Sequence, residues 1–141
     1  MSRIFWDTNL FIYLFEDYGK HSETTAQLRQ KMLIRGDELL TSTLAIGELL
    51  TGPERTGDRQ MAQEYEEAIK RAAVVVSFDL KAAQRYAQLR SRPPKIPPPD
   101  AIQLACAASA GVDLFLTNDT RLHSLHVDGI QFITSVDRAP L

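Results

Sequence analysis

The chain carries one cysteine, Cys106. No internal disulfide can form, so a disulfide-stapled scaffold is excluded. No apolar run approaches the ~20 residues that span a bilayer. Arg3 and Asp7 interrupt the start, where a signal peptide would keep an unbroken apolar core. These absences predict a cytoplasmic protein with no membrane role. A dominant charge is missing too. The formal net charge is −2, which leaves no global nucleic-acid footprint, so such a partner has to be argued from local charge. Histidine is scarce. His123 and His126 have a zinc-like spacing, but no cysteine or second pair supports them. There is no internal repeat, low-complexity tract or dividing linker. The 141 residues fit one domain, residues 1–141, burying roughly two-thirds of its unfolded surface.

What is present is an alternation of strand and helix. "RIFW" (3–6) predicts a strand, and Asn9 to Phe15 a short, unusually apolar helix. That helix has more large apolar residues than one face needs, which suits a dimer or partner contact. Residues 21–36 read as a longer helix ended by Gly36, and "ELLTS" (38–42) as a second strand. A helix then runs through Leu50 and is expected to stop at Gly52 and Pro53. Asp58 to Ala72 carries the clearest helical period. "AVVVSF" (73–78) reads as a strand buried on both faces, followed by a helix capped by Asp79. "RPPKIPPP" (92–99) is expected to be non-helical, and Asp100 to open a small-residue helix ending at Gly111. Strands at 114–117 and 130–134 complete the pattern. The fold class is therefore α/β: a three-layer sandwich with a roughly five-stranded parallel sheet flanked by helices.

Eighteen acidic residues are scattered along the chain, and four resist a solvated-surface reading. Asp7 follows the first strand directly. Glu48 lies in an apolar helix after the second. Asp100 opens the helix after the prolines. Asp119 follows the strand "LFLTN". In a parallel sheet the carboxyl ends of the strands share one edge, where ligands bind. Neighbouring strands lie about 4.8 Å apart, so acids at their ends are forced close together. Such a cluster retains protons or takes up a cation. Oxygen donors alone select a hard ion, Mg²⁺ or Mn²⁺. Singly, each acid has a simpler reading: Asp7 and Asp100 as helix caps, Glu48 as an exposed helical position, Asp119 as a turn former. Their joint placement at one edge carries the argument.

Between Leu80 and Pro99 there are five cations, Lys81, Arg85, Arg90, Arg92 and Lys95, and no acid. The segment reads as a phosphate track leading to Asp100, or as a solvated basic face. Cys106, Phe5 and Trp6 read as core.

Four segments, "DTN", "TSTLAIGEL", "PPDAIQLACAA" and "LFLTND", together resemble the PIN-domain family, in particular the toxin nucleases of VapC type. The resemblance implies that Asp7, Glu48, Asp100 and Asp119 form the family's acidic cluster. It implies that Thr8, Asn9, Thr117 and Asn118 support those acids. It implies metal-dependent hydrolysis of RNA phosphodiesters, homodimers, and a cognate antitoxin partner. One departure bears on a second metal site: many relatives carry a further acid about three residues after the position of Asp119, where this chain has Leu122. Asp7, Asp100 and Asp119 are assigned to ligation, and Glu48 to bridging or to accepting the water's proton. Arg85, Arg90, Arg92 and Lys95 are assigned to substrate. Three rival readings are a non-toxin nuclease of the same fold, a non-catalytic RNA-binding or scaffold module, and an aspartyl phosphatase. The last wants an acid two residues after its nucleophile, where this chain has Asn9.

Overall fold

A computed structural model describes residues 1–141. Five strands, β1 (Arg3–Trp6), β2 (Glu38–Ser42), β3 (Val74–Val76), β4 (Val112–Leu116) and β5 (Ile130–Thr134), form one sheet in the order β3-β2-β1-β4-β5. Every neighbouring pair is parallel. The helices are α1 (Thr8–Phe15), α2 (Lys20–Arg35), α3 (Thr43–Thr56), α4 (Arg59–Ala72), α5 (Leu80–Arg90) and α6 (Pro98–Ala110). No helix is long and apolar enough to cross a membrane.

Strand side chains alternate between two apolar layers, as the pleat requires. Phe5, Leu40 and Phe115 pack with Ala82 of α5 and with Ala101, Leu104 and Ala108 of α6. Ile4, Trp6, Leu39, Leu114 and Leu116 pack on the opposite face with Leu10, Phe11, Leu28, Met32, Leu49 and Ile69 from α1 to α4. The expected three-layer sandwich is therefore observed. Phe5 stacks on Phe115 with ring centroids 5.1 Å apart, tying the central pair β1 and β4 just below the sheet edge. Strand order runs outward in opposite directions from this pair, so the crevice above it is the topological switch point.

Three local expectations are corrected. Helix α3 does not stop at Gly52 and Pro53 but runs to Thr56, with Gly57 left-handed at its end. Pro53 lies eight residues after Ala45 and four after Leu49, and all three are buried on one face. That packing outweighs the ~3 kcal/mol bias against an interior proline. β3 is three residues long and lies at the sheet edge, with Val74 49% exposed. A β-branched run also fits an edge, and here it pairs with β2 alone. Helix α6 begins at Pro98, with Pro98 and Pro99 in its first turn and Asp100 two positions in. Proline is well suited to that turn, because its missing N–H would have had no partner there.

Candidate functional site

The carboxyl ends of β1, β2 and β4 deliver their following residues to one cavity of about 240 Å³. Asp7, Thr8, Asn9, Ile12, Glu48, Pro99, Asp100, Gln103 and Asp119 line it. All four acids expected to converge do so.

Asp7 follows β1 and caps α1, so capping and cavity lining coincide. Its carboxylate accepts from the Thr8 backbone N–H at 2.8 Å, the Thr117 hydroxyl at 2.7 Å and the Gln103 amide at 3.3 Å. Glu48 reaches the same edge from the second turn of α3, accepting from the Thr8 hydroxyl at 2.6 Å. The Thr117 hydroxyl in turn accepts from the Asp119 backbone N–H at 3.1 Å.

Gln103 is the hub of this network, and sequence reasoning missed it. Its side chain is 2% exposed. Its amide donates to the Thr8 hydroxyl at 3.0 Å as well as to Asp7, while its carbonyl accepts from the Ser42 hydroxyl. Ser42 is itself the N-cap of α3, accepting from the Ala45 N–H at 3.2 Å. Each hydroxyl thus donates once and accepts once, and α1, α3 and α6 are locked at a common register. The available signal was one large polar residue inside the apolar run "AIQLACAA".

Burial is the main cause that pushes the Asp7 carboxyl above its ordinary range, and Asp119 adds to it against three hydrogen bonds. Asp100 is also raised, by burial first and then by Asp7 and Asp119. Asp119 goes the other way, held below the usual carboxylate range by the Arg121 guanidinium. Arg121 Nε bonds Asp119 at 2.9 Å and its terminal nitrogen at 2.5 Å, and the same nitrogen lies 3.6 Å from Asp100. Arg121 was also missed, because a D-x-R spacing does not reveal that the side chain folds back.

Clustered carboxylate oxygens, two of them on carboxyls that burial pushes upward, have the chemistry that suits a hard divalent ion. As the side chains lie, no three of them stand close enough to chelate one.

Asn9 lines the cavity, whereas Asn118 donates to the Tyr13 hydroxyl at 3.0 Å and bonds none of the acids. The basic residues lie apart. Arg85 and Arg92 line a groove of about 220 Å³ with His126 and Asp128. Arg90 and Lys95 flank Arg92 in an adjoining hollow. None of the four reaches the acidic cavity, although the proline loop connects the two places at Pro99. Leu122, the position at which the resemblance implied a further acid, is 3% exposed and packs in the core. Cys106 and Trp6 are buried as expected.

The fold and cavity define an α/β protein with a four-carboxylate pocket at the switch point of a parallel sheet. The sequence profile of the PIN domain matches residues 4–127, and the chain belongs to the PIN-domain family. Solved structures share the fold. VapBC2 from Rickettsia felis, bound to a promoter DNA fragment, matches with TM-score 0.73 at 15% identity, covering 94% of this chain and 98% of that one. DNA-bound VapBC from Salmonella typhimurium gives 0.71 at 21%, covering 96% and 99%. VapBC-5 from Mycobacterium tuberculosis, of the VapBC family of toxin-antitoxin systems, gives 0.63 at 19%, also covering 96% and 99%. No curated protein matches the sequence closely.

Proposed function

We propose that this chain is a metal-dependent endoribonuclease and the VapC-type toxin of a toxin–antitoxin pair. The observation that carries the reading is the convergence of Asp7, Glu48, Asp100 and Asp119 on one cavity at the sheet's switch point. The PIN-domain match and the likeness to VapBC assemblies support it.

When bound, Mg²⁺ or Mn²⁺ supplies Lewis acidity toward water and phosphate near neutral pH. Asp7, Asp100 and Asp119 would hold it. Glu48 accepts the proton of the attacking water through Oε2, because Oε1 is engaged by the Thr8 hydroxyl. Gln103 and Thr117 fix the Asp7 carboxylate so that its orientation is set before substrate arrives. Arg85, Arg90, Arg92 and Lys95 hold phosphates of the RNA strand away from the cut, since they lie outside the acidic cavity. A cytoplasmic homodimer silenced by a cognate antitoxin completes the proposal.

The test is incubation with total RNA, with Mn²⁺, Mg²⁺ or chelator, for the parent and Asp100→Asn. Cleavage is expected only with ion, and is expected to drop at least about a hundredfold in the variant. Cleavage that survives both chelator and substitution overturns the reading. RNA binding without cleavage under any condition favours the scaffold alternative, and a covalent aspartyl-phosphate favours the phosphatase.

A further inference from the structure

Arg121 sits on the 3₁₀ turn Thr120–Leu122, two residues after Asp119. Both ends of that turn are pinned. Leu122 is buried in the core, and the Asp119 carboxylate caps the turn by accepting from the Arg121 N–H at 3.0 Å. The guanidinium then grips the same carboxylate through Nε at 2.9 and 3.2 Å and through a terminal nitrogen at 2.5 Å, while reaching Asp100 at 3.6 Å. Both Asp119 oxygens are therefore occupied by one cationic group. Because the pair is two residues apart on a fixed turn, little chain entropy is lost in forming it. The Arg121 side chain is itself 69% exposed, so it can leave for solvent without disturbing the core.

We propose that Arg121 is a built-in counter-cation of the acidic pocket that competes with the divalent ion for Asp119 and so lowers the chain's affinity for metal. The inference rests on the metal-dependent reading above. A carboxylate with both oxygens in a guanidinium fork cannot present either one fully to an ion. The ion must displace the arginine, and the lost pairing is subtracted from its binding. Since the pair is solvent-exposed, the subtraction is modest. Arg121 touches Asp119 rather than substrate, which makes it a residue that sets metal occupancy.

The experiment is calorimetric titration of the full chain with Mn²⁺ alone, comparing the parent with Arg121→Ala and Arg121→Gln. Thermal melts check that each variant folds. Both variants are expected to bind Mn²⁺ about fivefold more tightly. Arg121→Gln keeps most of the length and loses the charge, so it separates electrostatic competition from steric obstruction. Unchanged or weaker binding in the variants overturns the inference while leaving the metal reading intact. Tighter binding by Arg121→Ala with Arg121→Gln matching the parent also overturns it, since charge is then not the cause. Absence of Mn²⁺ binding by all three proteins sinks both the inference and the metal reading beneath it.

Discussion

The half-buried carboxylate at residue 7 works against the fold that contains it. Its ionised form is disfavoured by burial first and by Asp119 after that, so its folded pKa lies above the ordinary 3.8. In this window the folded chain binds more protons than the unfolded one. Stability therefore falls as pH rises from 3.8 through the raised value, and stays lowered above it. Asp7→Asn removes the ionisation while retaining an oxygen to accept from the Thr8 N–H. In metal-free protein the variant is expected to melt at a higher temperature than the parent at pH 7, with the gap closing towards pH 4 and below. Circular-dichroism melts across pH measure it. A variant that melts lower at neutral pH would mean that the three hydrogen bonds to Asp7 outweigh its burial.

At the level of elements, the chain connections carry constraints of their own. Gly129 ends the turn before β5 at φ +97, and a Cβ placed there would stand 2.4 Å from the Ala108 carbonyl oxygen of α6. Both the backbone conformation and the contact exclude a side chain, and the obstacle is backbone that cannot rotate away. The Gly129 carbonyl also accepts from Val112 N–H at 2.9 Å, starting the β4–β5 ladder. Gly129→Ala is expected to destabilise by about 2–3 kcal/mol. Urea unfolding should show a lower midpoint with an unchanged slope. The elements legible in the sequence were those whose pattern is local: the strand ahead of Asp7, the period of α4, and the caps at Asp79 and Gly36. α3 was cut short because a proline's local bias is visible while the pocket that buries Pro53 is not. β3 was placed inside the sheet because a valine run looks alike at a centre and at an edge. In the site, Asp7 and Asp119 were legible because neighbouring strand ends impose their meeting, and Glu48 and Asp100 because α3 and α6 begin at the same edge. Gln103 and Arg121 were not, because their roles depend on the direction of side chains across elements far apart or on a turn's exact shape.

At the scale of the whole molecule, charge is segregated. The net value of −2 averages an acidic cavity with a basic stretch that has five cations and no acid between residues 80 and 99. Arg85 and Arg90 each commit a terminal nitrogen to a backbone carbonyl, of Asp128 at 3.3 Å and Ile96 at 2.5 Å. Arg92 and Lys95 enter no ion pair within the chain. They are therefore the cations best placed to meet a strand's phosphates beyond the proline loop. Each phosphate neutralised on single-stranded nucleic acid adds about 0.7 to the slope of log affinity against log salt. In an Asp100→Asn background, which keeps the RNA intact, Arg92→Ala with Lys95→Ala should lower that slope by about 1.4. Fluorescence anisotropy with a labelled single-stranded RNA across a salt series reads it directly. The loss should be similar for different RNA sequences, because phosphate contacts carry no base information. A slope that stays at the parent value would place the RNA elsewhere on the surface and leave the basic stretch free for an acidic protein partner.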